Sequence, residues 1–106
     1  MTAVSGSFSG VGQSASIKIR GMANVSLFFG GAVATVALER SFDDGATWFV
    51  VSKNSVPEDA SYTDNVDAVI EESEPNVLYR WNCTAFTSGG ITYRISQGYA
   101  PKARLL

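Results

Sequence analysis

The residue types that most often carry out catalysis are scarce in this chain. It has 106 residues, with no histidine and a single cysteine, Cys83. Histidine is the commonest general base and the commonest metal ligand, so neither a Ser-His-Asp nor a Cys-His arrangement can be assembled. Cys83 alternates in step with Val77, Tyr79 and Trp81, which predicts a buried core residue instead of a nucleophile. We therefore predict a protein that binds or assembles, that is not an enzyme and that needs no cofactor.

The acidic residues are the best candidates for metal ligands in this chain. Seven of the ten lie between positions 54 and 76, where the sequence has no lysine or arginine. Calcium requires several oxygens converging from a tight loop, and the spacing of Asp64, Asp67, Glu71 and Glu72 does not follow a calcium loop. We interpret the segment as a solvated acidic loop without a metal. Two alternatives stay open, namely a calcium site and an acidic patch that meets basic residues of a partner.

One short motif has a recognisable pattern. Ser41, Asp43, Gly45, Thr47 and Trp48 fit S-x-D-x-G-x-T-W, which resembles the Asp-box of sialidases and other β-propellers. The resemblance implies a tight hairpin turn in which Asp43 accepts backbone N–H bonds, Gly45 adopts a positive φ and Trp48 packs beneath the turn. A propeller needs at least four blades of roughly 40–50 residues, more than this chain contains. We predict that the motif is a structural hairpin and not a ligand site.

Alternating apolar and polar side chains predict the strands that would position these residues. Two Gly-containing turns predict β-hairpins over residues 33–51 and 77–96. No segment predicts a helix. We expect a single all-β domain, an antiparallel β-sandwich or jelly roll of six to eight strands. Weaker strands are expected near 61–63 and 68–70. Six strands are clear, and they cover residues 15–20, 24–29, 33–41, 47–51, 77–85 and 91–96.

Residues 1–13 differ in composition from the rest. They are rich in serine and glycine, which gives the chain high conformational entropy and few side chains to anchor it. We predict a flexible N-terminal arm over 1–13, the β-sandwich over 14–97 and a C-terminal tail over 98–106.

Charge and hydropathy exclude several classes of partner. Ten acidic and eight basic residues give a net charge of −2, without the basic surplus of a nucleic-acid-binding protein. No apolar run approaches the ~20 residues that span a bilayer, and the first residues lack the pattern of a signal peptide. We expect no nucleic acid and no membrane among the partners. Glycan binding stays open through four aromatic residues: Phe28, Tyr62, Phe86 and Tyr99.

The order of motifs resembles that of small β proteins among the structural proteins of tailed bacteriophages. The similarity covers most of the chain from Ser9 to Gln97 and rests on the Ser/Gly-rich stretch 9–14, the alternating strand 17–21, the segment 36–48 and the segments 78–84 and 88–97. It implies a virion component assembled in the bacterial cytoplasm, above all a decoration or cement protein on the outer capsid surface. Such proteins stabilise contacts between major capsid subunits, commonly as dimers or trimers.

The resemblance therefore implies the major capsid protein, or another virion protein, as partner and a homo-oligomer as the assembled state. Two alternatives remain, a head–tail, tail or fibre-associated subunit and a carbohydrate-binding β-sandwich module. For the decoration function we predict partner contacts in the arm, the acidic segment and the tail. The candidate contact residues are Val4, Phe8, Val11, Glu58, Asp59, Asp64, Asp67, Glu71, Glu72, Lys102 and Arg104.

Overall fold

The computed structural model describes residues 2–52 and 59–97. Throughout these residues the protein is all-β, which confirms the predicted fold class, and every strand pair is antiparallel. No helix in the described part is long and apolar enough to cross a membrane. The eight strands are β1 (Thr2–Phe8), β2 (Gly12–Gln13), β3 (Ile17–Phe28), β4 (Val33–Ser41), β5 (Phe49–Val50), β6 (Ser61–Tyr62), β7 (Val66–Ser88) and β8 (Ile91–Gln97).

The strands form two halves that share the long strands β3 and β7. The overall order is β1-β8-β3-β7-β4-β5, with β2 beside β7 and β6 beside β4. In the first half, residues 66–72 of β7 (called β7N below) pair with β3, which also pairs with β8. In the second half, residues 77–88 of β7 (called β7C) pair with β4 over 78–88 and with β3 over 77–79, and β5 and β6 continue this half beyond β4. Buried residues of both halves pack into one core, as in a sandwich.

A large bulge joins the two parts of β7. Ile19 of β3 pairs with Val77 and Gly21 with Glu72, so β7 advances five residues where β3 advances two. Gly21 has a φ of 80° and Asn76 a φ of 63°, values that an extended strand does not adopt. The prediction of two separate strands over 15–20 and 24–29 is therefore wrong, because Gly21 bends one continuous strand from one half to the other.

The acidic segment is a strand over most of its described length. Val66, Ala68 and Ile70 are half-buried and pack against the core, while Asp67 and Glu71 point to solvent. The loop interpretation is wrong for these residues, since the acidic side chains occupy only the outward positions of a period-two pattern.

Only one of the two predicted hairpins forms. Glu39 and Arg40 of β4 pair with β5 across the turn, as predicted. In contrast, β7C and β8 do not pair, because β8 lies between β1 and β3 in the first half. Gly89, with a φ of 88°, lies so close to Ala32 that an added Cβ would be 2.7 Å from the Ala32 Cα. This turn crosses between the halves, which lets the apolar faces of both strands bury against each other.

The predicted N-terminal arm belongs to the sheet instead. β1 pairs with β8 over seven consecutive residues, Phe8 is 6% exposed and half-buried Val4 packs against the core. Phe8 stacks on Tyr93 with ring centroids 4.7 Å apart, and Gly6 leaves room for the same tyrosine. Serines and glycines at the other positions make the alternation of β1 too weak to recognise. The predicted tail, 98–106, lies outside the described residues.

Candidate functional site

The Asp-box-like motif forms a tight turn between β4 and β5. The Ser41 hydroxyl donates to Asp43 Oδ1 at 2.8 Å and accepts from the Gly45 N–H at 2.9 Å. Asp43 Oδ1 also accepts from the Thr47 N–H at 2.8 Å. Gly45 has a φ of 94°, and the residue before it, Asp44, has 61°. These bonds satisfy the turn's backbone internally, so its polar atoms are engaged in shaping the hairpin.

Trp48 covers a polar row on the outer surface of the second half. Its ring stacks on the Arg80 guanidinium at 4.0 Å, and its indole N–H donates to the Gly45 carbonyl at 2.9 Å. Arg80 Nε donates to Glu39 at 2.8 Å, and Asn82 donates to the same carboxylate at 3.1 Å. Stacking on Trp48 and the ion pair with Glu39 hold Arg80 against the sheet, so this group stabilises the surface of the sheet.

The turn also shifts the titration of its carboxylate. The Thr47 N–H and the Ser41 hydroxyl stabilise the charged form and hold the pKa of Asp43 below its ordinary value. Asp43 thus remains an acceptor for the turn at neutral pH.

A second polar group is buried at the bulge of β7. Glu72 is 3% exposed and accepts from the Tyr79 hydroxyl at 2.7 Å, from Arg40 at 2.8 Å and from the Glu74 N–H at 3.1 Å. A buried carboxylate is tolerated only when it is paired and hydrogen-bonded, and Glu72 meets both conditions. Glu72 was predicted as a partner contact. The structure contradicts this, because its side chain holds the bulge together.

The same contacts set the protonation of the group. Burial alone would raise the pKa of Glu72, but the hydrogen bonds from Tyr79, Glu74 and Arg40 outweigh it and place the pKa below its ordinary value. For Arg40, burial acts to lower the pKa, and Tyr79 and Glu72 more than compensate, so it is raised. Burial and the bond to Glu72 raise the pKa of Tyr79 to about 12. The group is therefore a neutral phenol between two opposite charges over the physiological range.

An open cleft of about 1000 Å³ separates β7N from β5 and β6. Val66, Ala68 and Ile70 line one wall, and Val50, Val51 and Tyr62 belong to the other. Leu38 and Tyr79 contribute core side chains to its floor, and Arg40 contributes the cation that pairs with Glu72. A cleft of this size, lined by apolar side chains and by polar groups such as those of Arg40, Asn65 and Glu71, is typical of a binding site.

Several large apolar side chains at this cleft are in contact with water. Phe49 is 54% exposed, Val69 57%, Phe42 46% and Val50 38%, and all four line the cleft. The Phe42 and Phe49 rings lie 6.2 Å apart, so they form one contiguous group. We call these four residues the apolar rim. Contiguous exposed apolar surface on a folded domain marks an interaction site more often than scattered single residues do.

The predicted contact residues separate into three sets. Phe8 and Glu72 are buried, and half-buried Val4 packs against the core, so these three are engaged within the domain. Glu58, Lys102 and Arg104 lie outside the described residues. The remaining candidates are exposed, and they are Val11, Asp59, Asp64, Asp67 and Glu71.

Sequence reasoning missed the apolar rim, although one signal for it was present. Val69 stands at an outward position between Asp67 and Glu71, where the alternation calls for a polar residue. An apolar side chain at an outward position of a strand, where a polar one is expected, indicates an exposed contact surface. Phe42 and Phe49 were hidden by the turn between them, since a turn carries no periodicity.

The other candidate ligand sites are also placed by the structure. Among the described residues, no group of three or more aspartate, glutamate or cysteine side chains could hold a metal ion. Cys83 is 1% exposed in the core, as predicted, and burial raises the pKa of its thiol. Of the glycan candidates, Phe28 is 60% exposed, Tyr62 and Phe86 are half-buried, and Tyr99 is outside the described residues.

Comparison with known proteins adds no assignment. No family model matches the chain, and neither the curated proteins nor the solved structures contain a match.

Proposed function

We propose that this protein is a non-enzymatic structural component of a tailed bacteriophage particle, a decoration protein that binds the outer face of the capsid and stabilises it. The observation that carries the proposal is the apolar rim, four exposed side chains around one open side of an otherwise well-packed sandwich. Apolar surface left in water is disfavoured by roughly 25 cal/mol per Å², so a partner that covers the rim gains this free energy.

The chemistry of the remaining surface supports binding over catalysis. The chain contains no histidine, and the two carboxylates with the clearest hydrogen-bonding roles, Asp43 and Glu72, are each engaged in holding a turn or a bulge. Neither has a free geometry for proton transfer to a substrate. The order of motifs along the sequence, which resembles that of small phage structural proteins, supports a virion partner.

Two physical features suit a capsid-bound protein. The core joins both halves through β3 and β7, so the rim is presented on a rigid support that loses little entropy on binding. A capsid lattice repeats the same contact many times, and homo-oligomers bound to several lattice points at once gain avidity from contacts that are weak singly.

The copy number of the chain in purified particles tests the proposal. Quantitative mass spectrometry against the major capsid protein should give tens to hundreds of copies that scale with the lattice. A copy number of around six to a dozen would contradict decoration and favour a connector or tail subunit. Absence from particles would refute a virion role, and glycan binding would then be the function to assay.

A further inference from the structure

The two parts of β7 differ in how their backbones are paired. β7C has β4 along one side and β2 along the other near Cys83. β7N pairs with β3 alone, and within the described residues no strand lies along its second edge. An unpaired edge presents a row of N–H and C=O groups that can accept another strand, and native proteins usually block such edges by charge, proline or a covering element.

The free edge of β7N faces the cleft. Residues 66 and 68–71 of β7N line it, together with residue 65 just before the strand, so the edge runs along the cleft wall over most of its length. On the opposite wall, the backbones of Val51 and Ala60 are hydrogen-bonded to that of Leu38 and to each other. The backbone hydrogen bonds of this wall are therefore made to β4 and within the wall itself. A strand laid in the cleft would therefore pair with β7N at about 4.8 Å and place alternate side chains between the two halves.

The alternation of side chains along β7N specifies which residue types the added strand needs on each of its two faces. On its inner face it would meet half-buried Val66, Ala68 and Ile70, which favour apolar or small side chains. On its outer face it would meet Asp67, Val69 and Glu71, all of them exposed. Opposite charges on directly paired strands are stabilising, so basic residues belong beside Asp67 and Glu71, with an apolar residue between them.

The charges around the cleft also favour a basic strand as its occupant. Residues 59–72 contain five acidic residues and no basic one. The cation within the cleft, Arg40, is already bonded to Glu72 at 2.8 Å. An incoming basic segment therefore meets a surface of opposite sign, and an acidic one is repelled.

A second copy of the same edge is a poor occupant. Antiparallel pairing of two β7N edges about Val69 would place Asp67 of each copy against Glu71 of the other. Two like-charged pairs facing each other are destabilising. The chemistry of β7N thus selects a different, basic strand.

We propose that the cleft is a strand-acceptor site, which binds an extended segment of a partner protein whose inner side chains are apolar and whose outer side chains are basic. The inference rests on the proposed function, since the partner segment belongs to a neighbouring protein of the particle. The added strand completes the open side of the sandwich and covers the apolar rim.

A peptide titration of the intact protein tests the site. The probe is acetyl-Thr-Lys-Val-Leu-Val-Lys-Thr-amide, in which lysines lie beside Asp67 and Glu71, and the control probe has glutamate at both lysine positions. Chemical shift changes in ¹H–¹⁵N spectra should be confined to residues 49–52, 60–62 and 66–71. We expect the glutamate probe to bind at least tenfold more weakly than the lysine probe.

Two matched variants separate the site from general charge attraction. Glu71→Lys should weaken binding of the lysine probe at least fivefold, because Glu71 lies on the cleft wall. Glu74→Lys makes the same change of charge at an exposed position that does not line the cleft, and it should alter the affinity less than twofold. Equal loss in both variants would overturn the proposal, and so would shift changes away from the cleft.

Other occupants would appear as distinct results. Concentration-dependent dimerisation that protects residues 66–71 and is strengthened by Glu71→Lys, which turns the like-charged pairs into opposite-charged ones, would assign the cleft to a second copy and overturn the partner-strand proposal. Failure of the lysine probe together with a lattice-scaled copy number would refute the strand-acceptor site while leaving the proposed function intact. Binding of the probe by a chain that is absent from particles would support the site and refute the virion function.

Discussion

The two parts of β7 have the same backbone conformation and opposite surroundings. In β7C, Val77, Tyr79, Trp81 and Cys83 are each at most 1% exposed, and neighbouring strands pair with it on both sides. In β7N the inward residues are only half-buried, Val69 is 57% exposed and one edge has no strand partner among the described residues. β7C therefore holds the domain together. β7N is left with exposed apolar side chains and an unpaired backbone edge that a partner can cover.

The largest expected effect is on the free energy of unfolding, and it distinguishes the two parts of β7. Trp81→Ala removes a fully buried side chain from β7C and should reduce the free energy of unfolding by about 3–5 kcal/mol. Val69→Ala on β7N should change it by no more than ~1 kcal/mol, since the side chain is mostly in water. Urea denaturation followed by tryptophan fluorescence measures both. Equal losses would show that β7N is as much a part of the core as β7C.

The next effect concerns the bulge that separates the two parts. Glu72→Gln removes the buried charge that pairs with Arg40 and should cost about 1.5–3 kcal/mol of stability. Glu71→Gln, on the exposed neighbour, is the matched control and should cost no more than ~0.5 kcal/mol.

The pH dependence of the Glu72 variant sharpens this prediction. Because the folded-state pKa of Glu72 is lowered, its stabilising contribution is complete above the ordinary carboxyl pKa of about 4.3 and is lost as the pH falls through the folded-state value. The difference in unfolding free energy between the wild type and Glu72→Gln should therefore shrink on acidification below about pH 4. A difference that grows on acidification would contradict the assigned hydrogen bonds.

A smaller effect is expected at the turn between β4 and β5. Ser41 is fully buried, and Ser41→Ala leaves the Gly45 N–H without its acceptor, so we expect a loss of about 1–2 kcal/mol. Ser16→Ala, at an exposed position, should be neutral within ~0.5 kcal/mol. Thermal denaturation of the two variants gives the comparison, and a neutral Ser41→Ala would mean that the turn does not depend on its side-chain bonds.

The smallest effect on stability should accompany a large effect on binding. Phe49→Thr replaces a rim residue that is 54% exposed with a good strand former, so stability should change by less than ~1 kcal/mol. Co-sedimentation with capsids lacking the protein should fall at least fivefold, because the rim loses its largest apolar contact. Unchanged co-sedimentation would move the capsid contact away from the rim.

The sequence alone predicts the local features of the fold well. The all-β class, the β4–β5 hairpin and the buried face of β7C all follow from clear alternation and turn residues. The turn around Asp43 follows from a motif whose side-chain bonds are made within seven residues. Such features depend on neighbours in sequence, which periodicity and spacing report directly.

The features that the sequence does not predict depend on distant partners. Glu72 resembles its exposed neighbour Glu71 in sequence, and its burial depends on Arg40, which is 32 residues away. The pairing of β1 with β8 joins residues 95 positions apart at Thr2 and Gln97. The cleft itself arises because β7 changes its neighbours at the bulge, so no single segment carries a signal for it.

The most direct test of the docking surface is amide hydrogen exchange of the protein in the free state and bound to capsids. We predict slow exchange in β7C in both states, and added protection on binding that is concentrated in residues 66–71 and 49–52. Protection at the β7N edge would place the partner in the cleft. No change there, with new protection along β1, would contradict the account and assign the contact to the opposite edge of the first half.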